Sequence, residues 1–175
     1  FSFATEFKKQ QIMSKKNDQK RKAALSMKSQ IESFRFNVEW KRKKLDIVPA
    51  DHTTLNAEMD AITEFGLVDA FNALKDLVNG VREELGAEPE ADRGTLNGTV
   101  VPFILGITSV NPMTAEAENR LLTTLKATDM PLQVTMVYDN EIRNQVVDWV
   151  KAHYASTSTR LGIPILKLKN MVVTS

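Results

Sequence analysis

The sequence predicts a mixed helix-and-strand protein of the α+β or α/β class. A long helical hairpin over residues 1–86 leads through a linker at 87–98 into a small β-α-β-α-β domain over 99–175. Three observations carry this. No Pro or Gly occurs before Pro49. Apolar residues recur at three- and four-residue steps in two long stretches, as the face of a helix requires. After residue 98 the pattern changes to short apolar runs separated by helix-length segments, the arrangement of strands linked by helices.

Residues 4–48 read as one long helix. Met27, Ile31, Phe34, Val38, Leu45 and Val48 form a heptad-like seam, with Lys41 at the skipped position. Phe36 and Trp40 lie off that seam and give a second apolar face. Residues 8–22 are almost wholly polar. Pro49 disfavours helix at Val48, and Asp51, Thr53 or Thr54 can cap the helix that follows. That helix spans about 54–85 and carries Leu67, Phe71, Leu74, Val78, Val81 and Leu85 in unbroken alternation of four and three. Gly66 is a potential break within it, and Gly86 suits its C-terminal stop. The two seams together suggest a basic arm packed on an acidic arm.

Residues 87–98, rich in Pro, Gly, Asn and acids, read as a linker. Residues 99–110, TVVPFILGITSV, are β-branched and apolar and read as a buried strand. Pro102 within it points to an edge or a bulge. A helix is expected from Thr114 to about Ala127, with Leu121, Leu122 and Leu125 inward. A strand follows at 131–138 with alternating apolar residues. Asp139 or Asn140 caps a helix to about Tyr154, with Ile142, Val146, Trp149, Val150 and His153 on one stripe. A polar loop at 155–159 and a third strand at 163–173 close the domain. Helix-length crossovers favour parallel strands, with a mixed layer as the alternative.

Composition narrows the function. Without cysteine there is no disulfide, thiolate metal site or cysteine nucleophile. The two histidines, His52 and His153, are far apart in sequence and belong to no metal-binding motif. No stretch is apolar enough to span a membrane, and the first residues lack the apolar core of a signal peptide. The charge is sharply segregated. Residues 1–50 carry 13 Lys and Arg against 5 Asp and Glu, whereas residues 51–99 carry 3 against 11. Such blocks either mate with each other or face different partners.

No catalytic constellation stands out. Residues 106–112, GITSVNP, lie where phosphates bind in many α/β proteins, but they lack the P-loop pattern and its Lys. Ser109 has no nucleophile-elbow context. Asp139 and Glu141 are explained as first-turn acids of a helix. No cofactor, metal or catalytic residue is therefore expected. The candidate surfaces are an apolar interface of Phe34, Phe36, Trp40, Leu67, Phe71, Leu74 and Val78, and a basic patch. The patch comprises Lys15, Lys16, Lys20, Arg21, Lys22, Lys41, Arg42, Lys43 and Lys44, charges that can neutralise phosphates in a salt-dependent way.

The C-terminal third also carries a resemblance. L-G-I-T-S-V-N-P, the spacing of Leu122 and Leu125, P-L-Q-V-T and K-N-M-V-V-T-S together resemble the N-terminal region of distal-tail-like proteins of tailed bacteriophages. The resemblance implies a non-enzymatic structural subunit of a tail or baseplate, joining neighbours through its helical arm. Its partners would be copies of itself and other virion proteins, and its location the virion, assembled in the bacterial cytoplasm. Two alternatives stand beside it. One is a nucleic-acid-binding accessory protein using the basic helix. The other is a small α/β ligand-binding protein or enzyme with a site near residues 106–111 and 139–140. Membrane binding is not expected.

Overall fold

The structure, a computed structural model, describes residues 2–46, 52–90, 93–109, 111–112 and 122–175. Its elements are helices α1 (Ser2–Lys44), α2 (His52–Glu64), α3 (Val68–Leu85), α4 (Val100–Ile104) and α5 (Asn140–His153). A single 3-10 turn covers Ala127–Asp129, and four strands follow the order β1 (Leu132–Thr135), β2 (Thr157–Ser158), β3 (Pro164–Leu168) and β4 (Met171–Thr174). This is the mixed α+β class that the sequence predicts. The chain divides into two compact units, Phe1–Asn37 and Val38–Ser175.

The first unit consists of α1 up to Asn37. Of its described side chains only Phe34 is buried and Ile31 half-buried; Phe3, Phe7, Ile12, Met13, Leu25, Met27 and Phe36 are all exposed. Residues 8–22, polar apart from Ile12 and Met13, form helix without burying a face.

The second unit is organised on α3. Leu67, Phe71, Leu74, Val78 and Val81 are fully buried, and each such side chain contributes roughly 1.5–3 kcal/mol by leaving water. Gly66 is the break: α2 stops at Glu64, Gly66 takes φ 62°, and α3 restarts at Val68. Gly86 ends α3 in the left-handed conformation, its amide donating to the Arg82 carbonyl at 3.0 Å. Gly80 has a different reason. A Cβ there would lie 2.6 Å from the Trp149 ring, so its bare backbone lets α5 pack closely on α3.

Residues 99–110 differ from expectation. Instead of a strand, Val100–Ile104 forms α4. The cause is the buried carboxylate of Glu58 on α2, which accepts hydrogen bonds from the Val100 amide at 2.9 and 3.0 Å and from the Val101 amide at 3.1 Å. These are orphan donors of a first helical turn. Pro102, which would interrupt a strand ladder, costs nothing there. Burial pushes the Glu58 carboxyl up to about 7, and the Val101 and Val100 bonds oppose the shift.

The sheet runs β1-β4-β3-β2. Only β1 and β4 are parallel, while β4–β3 and β3–β2 are antiparallel, so the mixed alternative holds. The expected third strand is a hairpin of β3 and β4. Asn170, at φ 61°, makes the turn, as Asn does more readily than other L-residues. The polar loop at 155–159 includes β2. Leu132, Val134, Leu166, Met171 and Val173 bury one face. The stretch read as a linker lies along β1: Thr95 Oγ1 accepts from the Thr135 amide at 2.8 Å, and the Glu90 amide donates to the Val137 carbonyl at 2.7 Å. Asp139 caps α5 by accepting from the Glu141 amide at 2.9 Å. The helix expected from Thr114, with Leu121, falls largely outside the described residues; residues 122–129 form turns.

Candidate nucleic-acid interface

The basic residues fall into two groups. On the first unit, Lys8, Lys9, Lys15, Lys16, Lys20, Arg21 and Lys22 are exposed, with Asp18 the only acid among residues 8–22. No ion pair occupies them among the described residues. Helical spacing distributes these charges around α1, making a cationic rod rather than a groove.

The second group is the last turn of α1, where Lys41, Arg42, Lys43 and Lys44 also complement the negative end of the helix dipole. Arg42 turns aside to pair with Glu39 at 2.9 Å. Lys41 and Lys44 instead line an open cleft of about 570 Å3 within the second unit, together with Trp40, Leu45, Phe103 and Thr108. Lys44 Nζ lies 4.9 Å from the centroid of the Trp40 ring, over its face, where the ring quadrupole attracts a cation. Burial, and then the neighbouring charge of Lys75, lower the proton affinity of Lys41, with Asp76 opposing.

Arg82 shapes the floor of this cleft. Its guanidinium pairs with Glu88 through two nitrogens, donates to Asn79 Oδ1 at 2.7 Å, and donates to the Gly106 carbonyl at 3.0 Å. Arg82 therefore ties α3 to residues 88 and 106, and Glu88 largely neutralises its charge. Thr108, only 6% exposed, keeps its hydroxyl oxygen buried with no hydrogen-bond partner among the described residues. The Tyr138 hydroxyl is likewise buried and without a hydrogen-bond partner among the described residues, and burial pushes it up to about 12.

The structure separates the residues proposed from sequence as one apolar interface. Leu67, Phe71, Leu74 and Val78 are interior to the second unit, and Phe34 is buried, so only Phe36 and Trp40 present large exposed surfaces. His153 stacks on Trp149 at 4.2 Å and bonds the Trp149 carbonyl at 2.8 Å, which makes it a satisfied packing residue. The His52 side chain lies outside what the structure describes. Sequence reasoning overlooked Arg82, Glu88 and Glu58, whereas Thr108 falls within the 106–111 stretch that it singled out. Arg82 alone carried a usable signal, as one of three basic residues in the acidic block. Among the described residues no group of three His, Asp or Glu side chains is arranged to hold a metal ion, and no helix is long and apolar enough to cross a membrane.

A model of the bacterial DNA polymerase III alpha NTPase domain family matches residues 11–171. The match takes in nearly the whole chain, and the chain belongs to this family. No curated protein matches it. The family match overturns the resemblance to phage distal-tail-like proteins, and with it the reading as a virion tail or baseplate subunit located in the virion. That resemblance rested on short strand-like segments of the C-terminal third, one of which folds as a helix and turn over residues 100–106. The family match also covers most of α1 and all of α2 and α3.

Proposed function

We propose that the chain serves DNA replication, as its family's name indicates, and that it meets DNA through the basic helix α1. The family match is the observation that carries the reading. The family is described as a domain of the bacterial DNA polymerase III alpha protein, which supports DNA and other replication proteins as partners. The cationic residues of 8–22 support it, because exposed Lys and Arg without carboxylate partners release counterions when they meet phosphates. The role assigned is contact with DNA rather than bond-making, and the site of that work is the bacterial cytoplasm.

Fluorescence anisotropy with labelled single- and double-stranded DNA tests this. Affinity is expected to fall steeply between about 50 and 200 mM salt, with a log–log slope of about −3 to −5 on single strands if most of the cations of residues 8–22 take part. Replacing Lys15, Lys16, Lys20, Arg21 and Lys22 by Ala should flatten the slope. Absence of binding at the lower salt would overturn the reading.

A further inference from the structure

We propose that the cleft lined by Trp40, Lys41, Lys44 and Thr108 seats one nucleotide of a single-stranded nucleic acid, its phosphate on the two lysines and its base on the Trp40 ring. This deepens the DNA-contact reading and rests on it.

Four observations converge here. The cleft, at about 570 Å3, has the volume of a small-molecule site. Lys41 and Lys44 bring two cations to it, with no ion pair among the described residues, while the nearby Glu88 is engaged by Arg82. Desolvation and Lys75 make the charged form of Lys41 costly, a cost that a bound phosphate would relieve. Trp40 is 53% exposed, and its ring lies 4.9 Å from a lysine ammonium. That places a stacking surface and a cation within the span of one nucleotide.

Thr108 is the second kind of evidence. Its hydroxyl is buried without a partner among the described residues, an arrangement that costs free energy in a closed protein. Thr108 lines the cleft, and a ligand oxygen would satisfy this hydroxyl once binding opens the cleft wall that now covers it. The combination of cations and an exposed aromatic ring is the one by which proteins hold single strands with little sequence preference. A duplex keeps its bases stacked inside and would offer the ring nothing. The cleft therefore favours a single strand over double-stranded DNA.

The test uses the two tryptophans. Trp149→Phe leaves Trp40 as the sole tryptophan of the chain. That variant is titrated with oligothymidylate and, separately, with dTTP, following tryptophan emission. Binding of a labelled oligothymidylate is followed in parallel by anisotropy. Oligothymidylate is expected to quench Trp40 emission, and Lys41→Ala/Lys44→Ala to weaken its binding about ten-fold. Lys15→Ala/Lys16→Ala should weaken binding while leaving the saturated quench unchanged.

Strand binding with unchanged Trp40 emission and unaltered affinity in Lys41→Ala/Lys44→Ala would overturn the cleft and leave the DNA-contact reading standing. Quenching by dTTP without any strand binding would keep the cleft as a mononucleotide site and sink the DNA-contact reading. Failure of both probes removes both. If Trp149→Phe does not fold, Trp40→Phe in the native chain reports the same quenchable component by its loss.

Discussion

Helices α1 and α3 carry the same kind of apolar spacing and meet opposite fates. At the N-cap of α3 and along it, Leu67, Phe71, Leu74, Val78 and Val81 are fully buried, and Leu85 at its end is half-buried. Along α1 and just past its end, Met27 is 55% and Leu45 54% exposed, and among the described residues of that seam only Phe34 and Val38 are buried. Spacing tells which side chains share a face, not whether anything covers it. What distinguishes α3 is the set of devices fixing it in place: the Gly66 break, the Gly80 approach to Trp149, the Arg82 tie and the Gly86 stop. Such positional devices, more than periodicity, mark a helix that belongs to a core.

The largest expected effect separates the two helices directly. Phe71→Ala should lower stability by about 3–5 kcal/mol in urea denaturation, as truncation of a buried aromatic does. Met27→Ala on α1 should stay within about 0.5 kcal/mol. Equal losses would break the contrast. A second effect concerns Gly80. Although Ala favours helix by up to about 1 kcal/mol, Gly80→Ala should be net destabilising by about 1–2 kcal/mol, because its Cβ meets the Trp149 ring. Trp149→Leu in the same chain should recover part of that loss, the non-additivity expected of touching residues.

The Glu58 tie sharpens the comparison through pH. Its folded value, about 7, lies above the 4.5 of an unperturbed glutamate. Between those values the folded chain holds a proton that the unfolded chain has released. The Glu58 contribution to stability is therefore greatest at low pH and declines as pH rises from about 4.5 to 7, by on the order of 3 kcal/mol at most. Denaturant midpoints of Glu58→Gln measured across that window should show a flatter profile than the native chain. The smallest energetic effect has a clear readout: trypsin should cut α1 between Lys8 and Lys28 before it cuts α3, since an uncovered helix opens at little cost. First cleavage within α3 would contradict the contrast.

Much of the second unit was legible in the residues. Asp139 capping α5, Gly66 breaking the acidic helix and Gly86 ending α3 each follow from local chemistry that travels with the residue. The helix at 100–104 was not legible. A short apolar run such as TVVPFILGI suits either a buried strand or a buried helix, and the deciding group, Glu58, acts from 42 positions away. The hairpin at 164–174 was hidden because alternation continues through Lys167 and Lys169, and only Asn170 signals the reversal. The cleft was half visible. Trp40, Lys41 and Lys44 stand out as an aromatic residue among charges, but Thr108 and Arg82 join them only through tertiary folding. Short matching segments misled the family reading, because fragments such as L-G-I-T-S-V-N-P carry no information about the α1–α3 region that the family match includes.

The place of β4 in the sheet bears on how the chain assembles over time. It is the last of the described strands in sequence, yet it joins β1 to β3, and the turn leading into it anchors the α2–α3 corner: the Asn170 side chain donates through Nδ2 to the carbonyls of Phe65 at 3.3 Å and Gly66 at 3.2 Å. The helices can form from local contacts, but the parallel β1–β4 ladder waits for residues nearly forty positions later in the chain. Pairing over such a separation is slow. During synthesis the helices therefore precede the sheet, and the edge of β1 stays unpaired until β4 has been made.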